Sequence, residues 1–91
     1  MIKKVFKYPI DGTDDFKIQL PKGAKILYVQ TQNEIPYFWA LVDPEAPKEE
    51  RFFRLAGTGH PIHFDMGLDY NFIGSFLIRN DSLVFHLFEI L

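Results

Sequence analysis

Apolar residues in this chain recur at every second position in short runs, and no stretch holds the three-to-four-residue spacing of a helix. In FKIQL, Phe16, Ile18 and Leu20 alternate with Lys17 and Gln19, the pattern of a strand with one buried face, because successive side chains on a strand point opposite ways. AKILYVQTQ (24–32) has apolar side chains on both faces, Ile26 and Tyr28 on one and Leu27 and Val29 on the other, which predicts a central strand or one facing a second layer. Asn33 and Glu34 are expected to form a two-residue hairpin loop, with YFWALV (37–42) as the partner strand beginning after Pro36. DPEAPKEE (43–50), with two prolines and four acidic residues, predicts a solvated loop with room for one helical turn, and RFFRLAG (51–57) resumes the extended pattern. YNFIGSFLIR (70–79) and SLVFHLFEI (82–90) flank Asn80 and Asp81, residues that tolerate the positive φ of a type I′ turn. That hairpin places Phe72, Phe76 and Ile78 on one face, and Phe85 and Leu87 on one face across the turn.

With KVFKYPI near the start, the reading totals about seven short strands, an all-β and mostly antiparallel chain forming a small sandwich or partly open barrel. Residues 1–91 are expected to be a single domain, since a division would leave pieces too small to bury an adequate core. The aromatic content of 16% fits that constraint, each large ring removing about 150–250 Å² from water; the competing reading has some rings lining a ligand slot or a subunit interface. Lys3, Lys4 and Lys7 suit the edge of the first strand. The last strand, SLVFHLFEIL, has a charged side chain only at Glu89, so it is expected at an open edge where a second copy pairs, and a homo-oligomer follows.

Ten basic and twelve acidic residues give a net charge of −2 and a pI near 5.8. The densest basic group is Lys3, Lys4 and Lys7, too sparse for the phosphate-contacting face that duplex nucleic acid requires. The chain has no cysteine, which removes disulfides, thiolate metal sites and cysteine nucleophiles. No apolar run approaches 18 residues, so no membrane partner is expected and the chain reads as a soluble protein of the cytosol.

One stretch, GTGHPIHFD (57–65), concentrates glycine, histidine, proline and aspartate. His60, His63 and Asp65 are a plausible imidazole and carboxylate ligand set, but Pro61 and the extended flanks oppose the helical spacing on which such ligands converge, and His86, alone among apolar neighbours, reads as a structural residue. His60, His63, Asp65 and Asp69 are the acid–base candidates, and the chain lacks GxSxG, Walker, GxGxxG and HExxH motifs; the expectation is a protein without catalysis, metal or cofactor. Anion binding is the stronger functional reading. Gly57 and Gly59 let backbone N–H groups approach a phosphate, Thr58 adds a hydroxyl, and His60 or Arg54 adds charge. Trp39 or Phe53 would stack on a base, and Gln30 or Gln32 would read its edge. Against this, the glycines simply let the strand leave the sheet, Pro61 fixes the exit, and Trp39 anchors the core. The expected ligand residues are Arg54, Gly57, Thr58, Gly59, His60, Trp39 and Gln30.

Four ordered blocks, GAKILYVQTQ (23–32), WALVDP (39–44), GTGHPI (57–62) and FHLFE (85–89), resemble a family of small proteins of unassigned function found in bacteriophages and bacterial genomes. The resemblance spans essentially the whole chain and implies a phage or prophage accessory protein. Joined to the glycine loop, it suggests sequestration of a small anionic, nucleotide-derived ligand such as a host immune signal. The alternative is an inhibitor of a host defence protein, or a structural accessory, working through an aromatic surface and an open sheet edge.

Overall fold

The computed structural model describes residues 2–62 and 67–91. Its regular elements are β1 (Lys4–Pro9), β2 (Asp15–Pro21), β3 (Lys25–Gln32), β4 (Ile35–Val42), β5 (Lys48–Gly57), β6 (Tyr70–Ile78) and β7 (Leu83–Ile90). They pair antiparallel into a three-stranded sheet, β1-β4-β3, and a four-stranded sheet, β2-β5-β7-β6. The fold is a sandwich, and neither sheet closes into a barrel. Among the described residues no helix is long and apolar enough to cross a membrane.

Both hairpins form where local chemistry placed them. Gln32 pairs with Ile35, leaving Asn33 and Glu34 at φ 50° and 68°, the sign that a type I′ turn needs at both central positions. In the second, strand pairing stops at Ile78 and Leu83, so the loop has four residues where two were expected: the Ser82 N–H donates to the Arg79 carbonyl at 3.1 Å, and Arg79, Asn80 and Asp81 take φ 53°, 54° and 66°. Two strands start earlier than expected. β4 contains Pro36, whose carbonyl accepts the Ile10 N–H at 3.0 Å; a residue's N–H and C=O leave an antiparallel strand on one side, so the missing donor costs the β3 ladder nothing. β5 begins at Lys48, because residues 48–50 pair with Pro21, Leu20 and Gln19 of β2. The preceding acidic loop makes a β-turn closed by Ala46 N–H to Asp43 O at 3.0 Å, with no helical turn.

Strand order corrects two further expectations. β3 is an edge strand and β7 lies between β5 and β6, so the last strand, expected at an open edge, leaves no edge on which a second copy could pair. The misleading signal in β3 comes from a bulge. The register shifts between Ile26 and Tyr28, so Ile26 and Val29 both face inward, opposite Ala40 and Phe38, while Leu27 and Tyr28 are 46% and 53% exposed. An extra residue inverts every later side chain. A second bulge, between Phe72 and Gly74 in β6, separates Phe72, which is exposed, from Phe76, which is buried; the two do not share a face.

Between the sheets lie Phe16, Leu20, Val29, Phe38, Ala40, Val42, Phe53, Leu55, Phe76 and Leu87. Tyr8, Phe38, Phe53 and Phe16 form a continuous ring chain through this core, with successive centroids 5.4, 5.4 and 5.3 Å apart. Phe53 is fully buried within it and is not available to stack on a ligand. One charged pair enters the interior: Arg51 donates to both Glu89 oxygens at 2.5 and 2.9 Å and to the Ala24 carbonyl at 2.5 Å. The Glu89 hydrogen bond is the main cause of the raised Arg51 pKa, against an opposing effect of burial.

The free edges of β3 and β6 meet along one side. Gly74 makes the approach possible, since a Cβ there would lie 2.5 Å from Val29 Cγ1. Thr31 Oγ1 donates to the Leu77 carbonyl at 2.6 Å. At the tip, the Glu34 carboxylate accepts the backbone N–H groups of Arg79 and Asn80, the latter at 3.2 Å, so the two hairpin turns are clasped together.

Candidate functional site

The glycine loop is first of all a bend. The His60 N–H donates to the Gly57 carbonyl at 3.0 Å, and Gly59 takes φ 82° at the third position of that turn, where a side chain would be strained. The His60 ring folds back on Gly57, whose hypothetical Cβ would stand 2.8 Å from Nδ1. Thr58 turns away: its N–H donates to the Val84 carbonyl at 3.1 Å, and its hydroxyl lies 2.7 Å from His86 Nε2. His86 Nδ1 meets the Ser75 hydroxyl at 2.6 Å, so this histidine joins β6 and β7 to the end of β5, in keeping with a structural role.

Arg54, Gly57 and His60 do line one depression, of about 240 Å³, together with Asp14, Asp15, Leu55, Ala56, Pro61 and Ile62. Thr58, Gly59, Trp39 and Gln30 are not part of its lining. Its electrostatics do not suit an anion. Arg54 is held bidentately by Asp15, at 2.7 and 3.1 Å, and donates to the Tyr70 hydroxyl at 2.9 Å. The same hydrogen bond lowers the Asp15 pKa and raises that of Arg54. With Asp14 added, two carboxylates stand against one guanidinium that is already neutralised. His63 and Asp65 lie outside the described residues. Among the described residues no group of three His, Asp or Glu side chains is placed to hold a metal ion.

Trp39 and Gln30 sit on the outer face of the three-stranded sheet. Cross-strand partners share a face, and the register sets Lys7, Trp39 and Tyr28 in one row across β1, β4 and β3, with Pro9, Tyr37 and Gln30 in the next. Phe38, Ala40 and Val42 point inward and are buried, so alternation turns Tyr37, Trp39 and Leu41 outward, where they are half-buried. Trp39 is therefore no core anchor. Its ring centroid lies 5.8 Å from that of Tyr28 and 6.2 Å from that of Tyr37, at interplanar angles of 50° and 57°. Lys7 Nζ stands 4.4 Å from the Tyr37 ring centroid and donates to Gln32 Oε1 at 3.2 Å. A cation–π contact at an exposed site is worth about 0.5–1 kcal/mol, so Tyr37 holds this lysine only weakly.

Charge follows the same division. β1, β3 and β4 contain three lysines, Lys4, Lys7 and Lys25, and no carboxylate, whereas the other sheet contains Asp15, Glu49, Glu50 and Glu89. The net charge of −2 thus conceals a sheet whose own strands carry rings, amides and ammonium groups but no carboxylate, with Asp81 of the β6–β7 turn beside Tyr28 and Gln30 at its edge. Sequence reasoning had Trp39, Gln30 and Gln32 but missed Tyr28, Tyr37, Lys7 and Lys25 as their neighbours. The signal was the apolar outer parity of YFWALV, visible once Phe38, Ala40 and Val42 are assigned to the core.

No curated protein and no solved structure is similar enough to the chain to count as a match. A family model matches residues 1–90, nearly the full span over which the four sequence blocks are distributed. This chain therefore belongs to the family described as a domain of unknown function, DUF7352.

Proposed function

We propose that the protein is a non-enzymatic binding protein that recognises a nucleotide-derived, anionic ligand on the outer face of its three-stranded sheet. The observation carrying this reading is the grouping of Tyr28, Trp39 and Tyr37 with Gln30, Gln32 and Lys7 on strands free of carboxylates. Every base has a π-face for the rings, glutamine amides reach base edges, and lysine answers phosphate. Compared with the expected loop site, the chemistry is the same and the place is different. The phage or prophage setting implied by the sequence blocks adds host signalling nucleotides to the ligands worth testing.

Trp39 is the only tryptophan, so its fluorescence reports on this face alone. Adenosine and thymidine monophosphates are expected to quench it saturably, and Tyr28→Ala to weaken that binding by roughly tenfold, the loss of about one stacking contact. If neither nucleotide changes the emission at millimolar concentration, the reading is wrong.

A second reading rests on the opposite face of the sandwich. There Phe52, Phe72 and Leu77 are 47%, 56% and 43% exposed, and Phe72 packs on Phe88 with centroids 5.4 Å apart, an apolar surface of the kind that contacts proteins. A stoichiometric protein partner lost on Phe72→Asp, with Trp39 emission unchanged by nucleotides, would favour it.

A further inference from the structure

We infer that the ligand on this face is single-stranded nucleic acid, one base to a ring, and not an isolated nucleotide. This rests on the reading above and extends it. Three observations support it: the openness of the face, the spacing of the rings and the placement of the lysines. The rings stand on the outside of a sheet, Tyr28 53% exposed and Trp39 and Tyr37 half-buried, so a ring covers only one side of a bound base, and a base on Tyr37 takes the place of the Lys7 ammonium there. Sites for single small molecules enclose most of the ligand surface. A lone nucleotide therefore gains little here, whereas a strand adds one contact for each ring it reaches.

The spacing selects the form of the strand. Successive centroids are 5.8 and 6.2 Å apart, against a rise of about 3.4 Å per nucleotide along each strand of a duplex. Bases that occupy all three rings must be unstacked from one another, which an extended single strand allows and a duplex forbids. The rings are also inclined by 50° and 57°, so no single planar ligand lies flat on two of them. Lys7 is opposite Trp39, and Lys25 is opposite Leu41 on the same face. Two ammonium groups therefore flank the row of rings where a backbone would pass; the strands of that sheet carry no carboxylate, and the acid beside Tyr28 and Gln30 is Asp81 of the β6–β7 turn.

The test follows Trp39 fluorescence of the full chain with thymidine monophosphate, oligothymidylates of three and six nucleotides, the matching oligouridylates, and a duplex of the same length. Affinity should rise about tenfold or more for each added base up to three and change little from three to six. The logarithm of the affinity for the trimer should fall with log salt at a slope of about −1.4, as two neutralised phosphates require for single strands. Tyr37→Ala should lower the affinity for the trimer by about tenfold and leave that for the monophosphate near its original value. The oligothymidylate and oligouridylate series separate DNA from RNA as the source. A trimer that binds no more tightly than the monophosphate, or a duplex that binds as well as the single strand, overturns the inference while leaving the nucleotide reading in place. Absence of quenching by every probe overturns both.

Discussion

At the scale of single residues, two arginines three positions apart take opposite parts. Arg51 shares inward parity with Phe53 and Leu55, and Glu89 with Leu87 and Phe85. Their ion pair sits at the margin of the core, with side chains 16% and 7% exposed, and Ala24 accepts a further donor. Removing one partner leaves a buried charge without compensation, so Glu89→Ala is expected to cost about 3–5 kcal/mol, read as a fall in the urea midpoint. Arg54, of outward parity, is spent on Asp15 and Tyr70. Alternation separates these arginines once Phe53 is known to be buried, since in RFFRLAG Arg51 falls in step with it and Arg54 does not; the sequence reading drew no such distinction and gave Arg54 to an anion. What alternation could not supply is the identity of the partner, because Asp15 and Glu89 are 39 and 38 residues away in sequence.

At the scale of elements, the strands and both hairpin turns were legible and the order of the strands was not. Asn33, Glu34, Asn80 and Asp81 declare their turns through residue type and strand spacing, which are local. Two bulges broke the parity on which face assignments depend, at Leu27 in β3 and at Ile73 in β6. The first made an edge strand look central; the second moved Phe72 to the wrong face. β7 was misread for a related reason, since a strand flanked by two neighbours needs no protective charge, and its scarcity of charge was taken for an unguarded edge. The contact between edges that closes the β3–β6 side was likewise invisible in sequence. Glu34 holds a positive φ that costs a glutamate some strain, while its carboxylate caps two backbone N–H groups of the opposite turn. Hydrogen bonds to a charged group contribute about 1.5–3 kcal/mol. Glu34→Ala is thus expected to lower stability by a similar amount and to speed amide exchange at Arg79 and Asn80, whereas Glu34→Gly, which relieves the backbone but loses the cap, should recover only part of the loss.

At the scale of the whole molecule, a short chain spreads its aromatic residues over three layers. Phe16, Phe38, Phe53 and Phe76 fill the interior, Phe52, Phe72 and Phe88 coat the four-stranded sheet, and Tyr28, Tyr37 and Trp39 coat the three-stranded one. Rings therefore both fill the core and coat the outer faces of one sandwich, the second being the placement that a ligand slot or a subunit interface would require. The two outer faces differ in what accompanies the rings: neutralised ion pairs and apolar neighbours on one, amides and lysines on the other. This difference directs the functional account to the three-stranded sheet and away from the glycine loop. The most direct measurement is an amide chemical-shift titration of the labelled protein with a three-nucleotide oligothymidylate. Saturable shifts concentrated in residues 25–32 and 37–41 are predicted; shifts confined to residues 54–62, or none at saturating ligand, would contradict the account.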